Sequence, residues 1–161
     1  MTQATKPLAF RPFTIADAPL LAGWLAAEGL GVPPGIGSAN WAGRLVEDPN
    51  ISCWAAQEAG ETVGFFRLDT GPDLQAELTV IVAPHRRRTG IGLQILEEVL
   101  KQARARGLRK ILAVVSQTNH DGLTFFYDAG FDLSGDQTSQ HVHLQRLVHC
   151  AERQPPLEIQ P

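Results

Sequence analysis

A strand, a turn, a helix and a second strand follow one another in the middle of this sequence, and this order limits the folds open to the chain. Residues 78–82 (LTVIV) are apolar or β-branched, which predicts a short strand buried on both faces. Pro84 ends that strand because it has no N–H to donate. Apolar residues then recur at helical spacing in residues 90–106, and residues 110–116 (KILAVVS) predict a second buried strand. Two strands joined by a crossover helix form a right-handed parallel unit.

The segment between the first strand and the helix, residues 83–92 (APHRRRTGIG), is rich in arginine and glycine and is called the Arg–Gly turn below. About four backbone N–H groups at a helix N-terminus lack partners, and the helix dipole is positive there, so an anion is favoured. Gly90 and Gly92 let a ligand approach the backbone, and the arginines at 86–88 can hold phosphate through paired hydrogen bonds. The turn therefore predicts a site for a phosphate-bearing ligand.

Other interpretations of the turn fit the sequence less well. A P-loop requires Gly-Lys, and no Gly-Lys pair occurs in the sequence. A dinucleotide fingerprint requires glycine three residues after Gly92, where Ile95 stands, and an acidic residue about twenty residues on, which is missing. A solvated run of surface arginines is the remaining alternative, and the order of strand, proline, glycines and helix disfavours it.

Periodicity elsewhere predicts three further helices and five further strands. The helices are predicted at 15–27, 40–47 and 121–129, and the strands at 8–13, 51–57, 62–68, 131–133 and 141–148. Glycine and proline predict a loop at 29–38. We expect a flexible N-terminus at 1–7, one domain at 8–149 and a loose polar, proline-rich tail at 150–161.

Composition excludes several classes of function. The net charge of −3 argues against a general nucleic-acid binder, and the arginines of the turn have no aromatic residues between them. No apolar run approaches about eighteen residues and residues 1–10 lack the apolar region of a signal peptide, so we expect no membrane partner and a cytoplasmic protein. Cys53 and Cys150 are expected to be reduced, and no metal site is expected because His141 and His143 lack further ligands at suitable spacing.

Two motifs together resemble a known family. Arg87-x-x-Gly90-x-Gly92, preceded by Val82-x-Pro84, resembles the Q/R-x-x-G-x-G/A coenzyme A signature of the GNAT-type N-acetyltransferases. Residues 119–131 (NHDGLTFFYDAGF) are similar to a second segment of that family, with Gly122 where alanine is usual. The matching positions there are Asn119, Phe126, Tyr127, Gly130 and Phe131. With the opening segment FRPFTIADAPLLAGWL, the resemblance covers residues 8–148.

The resemblance implies an α/β (α+β) GNAT fold. Its central sheet is mixed, mostly antiparallel and twisted, with six or seven strands, a parallel splayed central pair and about four flanking helices. It implies acetyl-CoA as cosubstrate, no metal, and a primary amine of a small molecule or peptide as acceptor. A coenzyme A-binding sensor without catalysis is the alternative, and a homodimer remains open.

The resemblance also implies the residues that bind the cofactor. The backbone of Val80, Ile81 and Val82 would pair with the pantetheine arm and polarise the thioester carbonyl in the tetrahedral intermediate. The turn would hold the pyrophosphate through Arg87, Arg88, Thr89, Gly90, Ile91 and Gly92. Asn119 and Phe126 would contact the cofactor, although Asn119 could equally be the N-cap of the last helix.

Two further residues are candidates for proton transfer. An amine with a pKa of about 10.4 is protonated at neutral pH, so a base is needed, and Glu77 precedes the turn on its strand. Tyr127 could protonate the leaving thiolate, since a phenol has a pKa of about 10. An ion-paired surface glutamate and a core aromatic residue are the respective alternatives. The acceptor site stays open, with Trp24, Trp41, Asn40, Glu28 and Glu47 as candidates.

Overall fold

The computed structural model describes residues 6–27, 41–135 and 140–148. The chain divides into two compact units, one formed by residues 1–70 and 78–97 and the other by residues 71–77 and 98–161. The predicted loop and C-terminal tail lie outside the described residues, as do the first five residues of the chain. The predicted domain boundaries therefore stay a prediction.

Seven strands and four α-helices form within the described residues. The strands are β1 (Ala9–Pro12), β2 (Ile51–Glu58), β3 (Glu61–Thr70), β4 (Gln75–Val82), β5 (Lys110–Ser116), β6 (Asp132–Leu133) and β7 (His141–Leu147). The helices are α1 (Ala18–Ala27), α2 (Trp41–Glu47), α3 (Ile91–Ala105) and α4 (His120–Asp128), with 3-10 turns at Ile15–Asp17 and Pro84–Arg86.

The strands form one mixed sheet in the order β1-β2-β3-β4-β5-β7-β6. The pairs β1–β2, β2–β3, β5–β7 and β6–β7 are antiparallel, and β4–β5 is parallel. The register of the parallel pair runs from Gln75–Lys110 to Glu77–Leu112. This sheet, with its parallel central pair, confirms the predicted fold class.

Both faces of β3 are buried, because the neighbouring residues Phe65 and Phe66 point to opposite faces and are 2% and 1% exposed. Phe65 packs against Phe13 and Trp24, with ring centroids 5.7 and 5.2 Å apart. On β3, a Cβ added to Gly64 would lie 2.7 Å from Ile95 Cδ1 and 3.1 Å from the Ile81 carbonyl oxygen. The absence of a side chain at Gly64 therefore allows the first turns of α3 to lie close to the sheet.

Most of the buried residues described in the second unit come from the second half of α3 and from β5, α4 and β7. β5 and β7 pair over seven positions, from Lys110–Leu147 to Ser116–His141. Phe126 of α4 packs edge-on against Phe131 with ring centroids 4.9 Å apart. Tyr127 is the next residue, about 100° further around the helix, and is exposed.

Two local features differ from the sequence predictions. The hairpin turn between β2 and β3 contains two residues rather than four, because Glu58 pairs with Glu61 and leaves Ala59 and Gly60 in the turn. The predicted burial of both faces of β4 and β5 is wrong, since Thr79 and Val114 are exposed. β-Branched residues favour a strand whether one or both of its faces are covered, so their sequence did not distinguish the two cases.

The starts of two helices also differ. α3 begins at Ile91 rather than at residue 90, because Gly90 has a left-handed φ of +86°. The first predicted helix begins as a 3-10 turn at Ile15–Asp17, where the Asp17 carboxylate accepts a hydrogen bond from the Thr14 N–H at 2.9 Å.

Candidate active site

The Arg–Gly turn starts from a fixed backbone in the first unit. Ala83 is fully buried, and its N–H donates to the Val63 carbonyl of β3 at 2.9 Å. The Arg86 N–H donates to the Ala83 carbonyl at 2.9 Å, which closes the 3-10 turn, and the Thr89 hydroxyl donates to the Arg86 carbonyl. The first half of the turn is therefore held by three hydrogen bonds.

The second half of the turn presents backbone donors. Arg88 and Gly90 have left-handed φ values of +61° and +86°, and the ladder of α3 begins with the Gln94 N–H donating to the Gly90 carbonyl at 3.2 Å. The N–H groups of the first helical turn precede that ladder and have no intrahelical acceptor. The helix dipole makes this end of α3 suited to an anion, and binding of a phosphate there stays a prediction.

The three arginines of the turn have different environments. Arg86 Nη2 donates to Glu58 Oε2 at 2.7 Å, and their side chains are only 24% and 15% exposed. Arg87 and Arg88 are exposed. The structure thus separates Arg86, which is held by a glutamate, from the two arginines predicted to bind phosphate.

The strand that leads into the turn carries the predicted base. Glu77 and Thr79 are exposed on β4, while Val80, Ile81 and Val82 are half-buried. Glu77 lies opposite Leu112 of β5 in the second unit. An exposed carboxylate at this position is compatible with either a base or an ordinary surface glutamate.

Two neighbouring aromatic residues of α4, Phe126 and Tyr127, differ in exposure. Phe126 is 8% exposed and packs against Phe125 and Phe131. Tyr127 is 45% exposed. The alternative of a buried core role therefore applies to Phe126 and not to Tyr127, whose hydroxyl group is carried on an accessible side chain.

Asn119 is the N-cap of α4. Its side-chain Oδ1 accepts a hydrogen bond from the Gly122 N–H at 3.0 Å. The capping role left open by the sequence is thus present, and the amide nitrogen Nδ2 is a further donor on the same side chain. A cofactor contact by Asn119 stays a prediction.

The other candidates are less favoured or lie outside the description. Trp24 is buried in the core of the first unit, and Glu47 is exposed at the end of α2. Glu28 and Asn40 lie outside the described residues. Within the described part of the chain, no group of three or more His, Cys, Asp or Glu is arranged to hold a metal, and no helix is long and apolar enough to cross a membrane.

Sequence reasoning missed the contribution of the β2–β3 hairpin. Glu58 binds Arg86, and Glu61 lies 3.2 Å from His85 Nε2. The only signal in the sequence was the pair of glutamates in EAGE, which also suits an ordinary exposed turn. Their partners lie 28 and 24 residues away, beyond the range of local pattern analysis.

Part of the chain is similar in sequence to a curated acetyltransferase. Over 86 residues, half of each chain, this chain is 30% identical to an L-methionine sulfoximine/L-methionine sulfone acetyltransferase of Pseudomonas aeruginosa. The match therefore spans about half the length of that curated relative.

Two solved structures share the fold. An acetyltransferase from Thermus thermophilus superposes with a TM-score of 0.75 at 24% identity, covering 90% of this chain and 99% of that one. The PaiA N-acetyltransferase from Thermoplasma acidophilum, solved in complex with coenzyme A, gives a TM-score of 0.70 at 21% identity, covering 87% and 98%.

The match to a family covers most of the chain. Residues 22–131 match the family described as the acetyltransferase (GNAT) family. This range contains the Arg–Gly turn, Glu77 and Tyr127, and it includes both motifs that carried the resemblance. The chain belongs to the acetyltransferase (GNAT) family.

Proposed function

We propose that this protein transfers the acetyl group of acetyl-CoA to a primary amine. The observation that carries the proposal is the Arg–Gly turn, in which the left-handed Gly90 opens α3 directly after β4. That geometry suits a pyrophosphate, and the turn lies within the part of the chain that matches the family.

The backbone of the Arg–Gly turn and of β4 would make most of the contacts with acetyl-CoA. Thr89, Gly90, Ile91 and Gly92 would supply N–H groups to the pyrophosphate, and Arg87 and Arg88 would add charge. The pantetheine arm would pair with the backbone of β4 at residues 80–82. Ile91 is buried, so its part in binding is limited to its backbone. Phe126 is buried too, so it would support the site through packing.

Glu77 would act as the base. The amine nitrogen attacks the thioester carbonyl carbon, a C–N bond forms, and a tetrahedral intermediate results. The ammonium form of the amine must first lose a proton so that its nitrogen can attack, and the Glu77 carboxylate takes this proton, directly or through water; the second proton, which the nitrogen loses as the amide forms, balances the one that Tyr127 gives to sulfur. The exposure of Glu77 on β4 supports this role because a base must reach the incoming amine or a water bound to it.

Tyr127 would act as the acid. When the intermediate collapses, the C–S bond breaks and the electron pair goes to sulfur. A phenol that donates its proton to this thiolate completes free coenzyme A. The exposed side chain of Tyr127 supports the role, since a buried hydroxyl group would be out of reach.

The acceptor is proposed as an amine of a small molecule or peptide. The name of the Pseudomonas relative makes amino-acid analogues a reasonable first choice. The second candidate function is a coenzyme A sensor without catalysis, which would need the turn but neither Glu77 nor Tyr127.

The test measures thiol release from acetyl-CoA across a panel of amines, together with coenzyme A binding by calorimetry. The panel contains methionine sulfoximine, methionine sulfone, other amino acids, polyamines and a lysine peptide. Acetylation of any of these amines, verified by mass spectrometry, would support the proposal. Tight coenzyme A binding without acetylation would favour the sensor, and failure to bind coenzyme A would overturn both.

A substitution at Gly90 tests the turn itself. Gly90→Val places a β-branched side chain at φ +86°, which side chains of this kind rarely adopt. We expect coenzyme A affinity to fall first. Gly43→Ala, in a helix with open space around the glycine, is the matched control and should bind normally.

A further inference from the structure

The β2–β3 hairpin ends in two carboxylates that lie opposite each other. Glu58 and Glu61 are cross-strand partners, joined by a turn in which Ala59 and Gly60 have φ values of +49° and +84°. Like charges at opposed positions destabilise a hairpin, and a left-handed alanine adds cost. The two opposed carboxylates therefore need positively charged partners from outside the hairpin.

Consecutive residues of the Arg–Gly turn supply those partners. Arg86 Nη2 lies 2.7 Å from Glu58 Oε2, and His85 Nε2 lies 3.2 Å from Glu61 Oε1. The first pair is largely removed from solvent, with side chains 24% and 15% exposed, while the second is 60% and 58% exposed. Only the first is shielded enough to contribute strongly, because exposed pairs contribute little.

Arg86 is tied at three points. Its side chain binds Glu58, its N–H donates to Ala83, and its carbonyl accepts from the Thr89 hydroxyl. Hydrogen bonds therefore link the positions of Ala83 and Thr89 to that of Arg86. A shift of its side chain would move the backbone that leads to Gly90.

We propose that Glu58 is a positioning residue for coenzyme A, which fixes the Arg–Gly turn through Arg86, and that Arg86 is not itself a phosphate ligand. The inference rests on the proposed function. It divides the three arginines by role, with Arg87 and Arg88 toward the phosphates and Arg86 toward the scaffold.

Two possible roles of Glu58 predict opposite changes in coenzyme A affinity for Glu58→Gln. Glu58 could restrain an arginine that binds phosphate, or it could position the turn. If Arg86 were a ligand restrained by Glu58, removal of the negative charge would free it and tighten coenzyme A binding. If Glu58 positions the turn, the affinity for coenzyme A falls by about five- to tenfold. Arg86→Gln should then weaken binding to a similar degree, and the double variant should be no weaker than either single variant.

The experiment compares coenzyme A dissociation constants of these variants in the intact protein, with folding checked by circular dichroism. Glu61→Gln is the matched control, since it removes a carboxylate from the same hairpin but only an exposed pair, and its affinity should stay within about twofold of wild type. The activity with acetyl-pantetheine, which lacks the pyrophosphate, should be unchanged in Glu58→Gln. Loss of affinity caused only by a less stable fold would affect both donors.

Tighter or unchanged coenzyme A binding in Glu58→Gln would overturn the inference. So would equal losses in Glu58→Gln and Glu61→Gln, additive losses in the double variant, or an equal loss of acetyl-pantetheine activity. Wild-type protein that fails to bind coenzyme A would instead overturn the proposed function.

Discussion

Asn119 and Gly122 form a matched pair at the start of α4. The Asn119 Oδ1 accepts from the Gly122 N–H at 3.0 Å, and a Cβ on Gly122 would lie 2.6 Å from Asn119 Nδ2. The space that an alanine would occupy is thus used by the asparagine side chain. The family usually has alanine at this position. Glycine at 122 leaves room for the capping side chain of Asn119.

Gly122→Ala should displace the Asn119 side chain. Loss of the cap costs about 0.5–2 kcal/mol, and the better helix propensity of alanine returns up to about 1 kcal/mol, so stability should change little. If Asn119 binds the cofactor, the KM for acetyl-CoA should rise even so. Gly43→Ala gains propensity without a clash and should only stabilise the protein. A Gly122→Ala variant stabilised as much as Gly43→Ala would contradict the steric reading.

Tyr127→Phe removes one hydroxyl group from an exposed side chain. The fold should be unaffected, while kcat should fall by about 100-fold if the phenol protonates the leaving thiolate. The KM for acetyl-CoA should change by less than about threefold, because a group used mainly in the transition state affects turnover. Steady-state kinetics at saturating amine measure both constants. Wild-type turnover in the variant would eliminate the proposed acid.

Gly64→Ala should disturb the packing of α3 on β3. The added methyl group would meet Ile95 Cδ1 at 2.7 Å and the Ile81 carbonyl at 3.1 Å, so we expect a loss of about 1–3 kcal/mol in the free energy of unfolding. Chemical denaturation measures the loss. Adding Ile95→Val removes Cδ1 and should restore part of the stability, whereas Gly71→Ala, with its nearest atom at 3.9 Å, should be nearly neutral. No rescue by Ile95→Val would point to the Ile81 carbonyl as the dominant clash.

Asp17→Asn should make stability less dependent on acid pH. Two hydrogen bonds from the Arg11 guanidinium, at 2.7 and 2.6 Å, lower the pKa of the Asp17 carboxyl below its ordinary value of 3.8. The stabilisation by the ionised group is therefore present above pH 3.8 and is lost as the pH falls through the folded-state pKa.

At neutral pH, Asp17→Asn should cost about 1.5–3 kcal/mol, as expected for hydrogen bonds to a charged group. Denaturation curves of variant and wild type should converge as the pH is lowered below 3.8. A difference that stays constant over this range would mean that the charge of Asp17 contributes nothing.

Cys53 should be unreactive in the folded protein. Burial raises the pKa of its thiol from 9.0 to about 12. The unfolded chain ionises at lower pH, so stability should be full below pH 9 and decline between pH 9 and about 12. Alkylation of a Cys150→Ser variant at pH 8.5 to 9 should be slow in buffer and fast in denaturant, at about the rate of a free thiol. Rapid labelling in buffer would show that the thiol is accessible.

The sequence by itself determined the elements and the donor chemistry. Most strands and helices follow from periodicities of two and 3.6 residues, which are local signals. The Arg–Gly turn is equally local, because a strand, a proline, arginines and two glycines within residues 78–92 are sufficient to predict an anion site at the start of a helix. Recognition of the family needed only two such segments.

The tertiary structure decided which residues of those segments are exposed and which are buried or ion-paired. Arg86, Arg87 and Arg88 are consecutive and alike in the sequence, and the tertiary structure brings Glu58 to Arg86. Phe126 and Tyr127 are adjacent aromatics, and packing on Phe131 buries one and leaves the other exposed. Burial and ion pairing depend on contacts between residues far apart in the chain, and a local pattern carries no information about them.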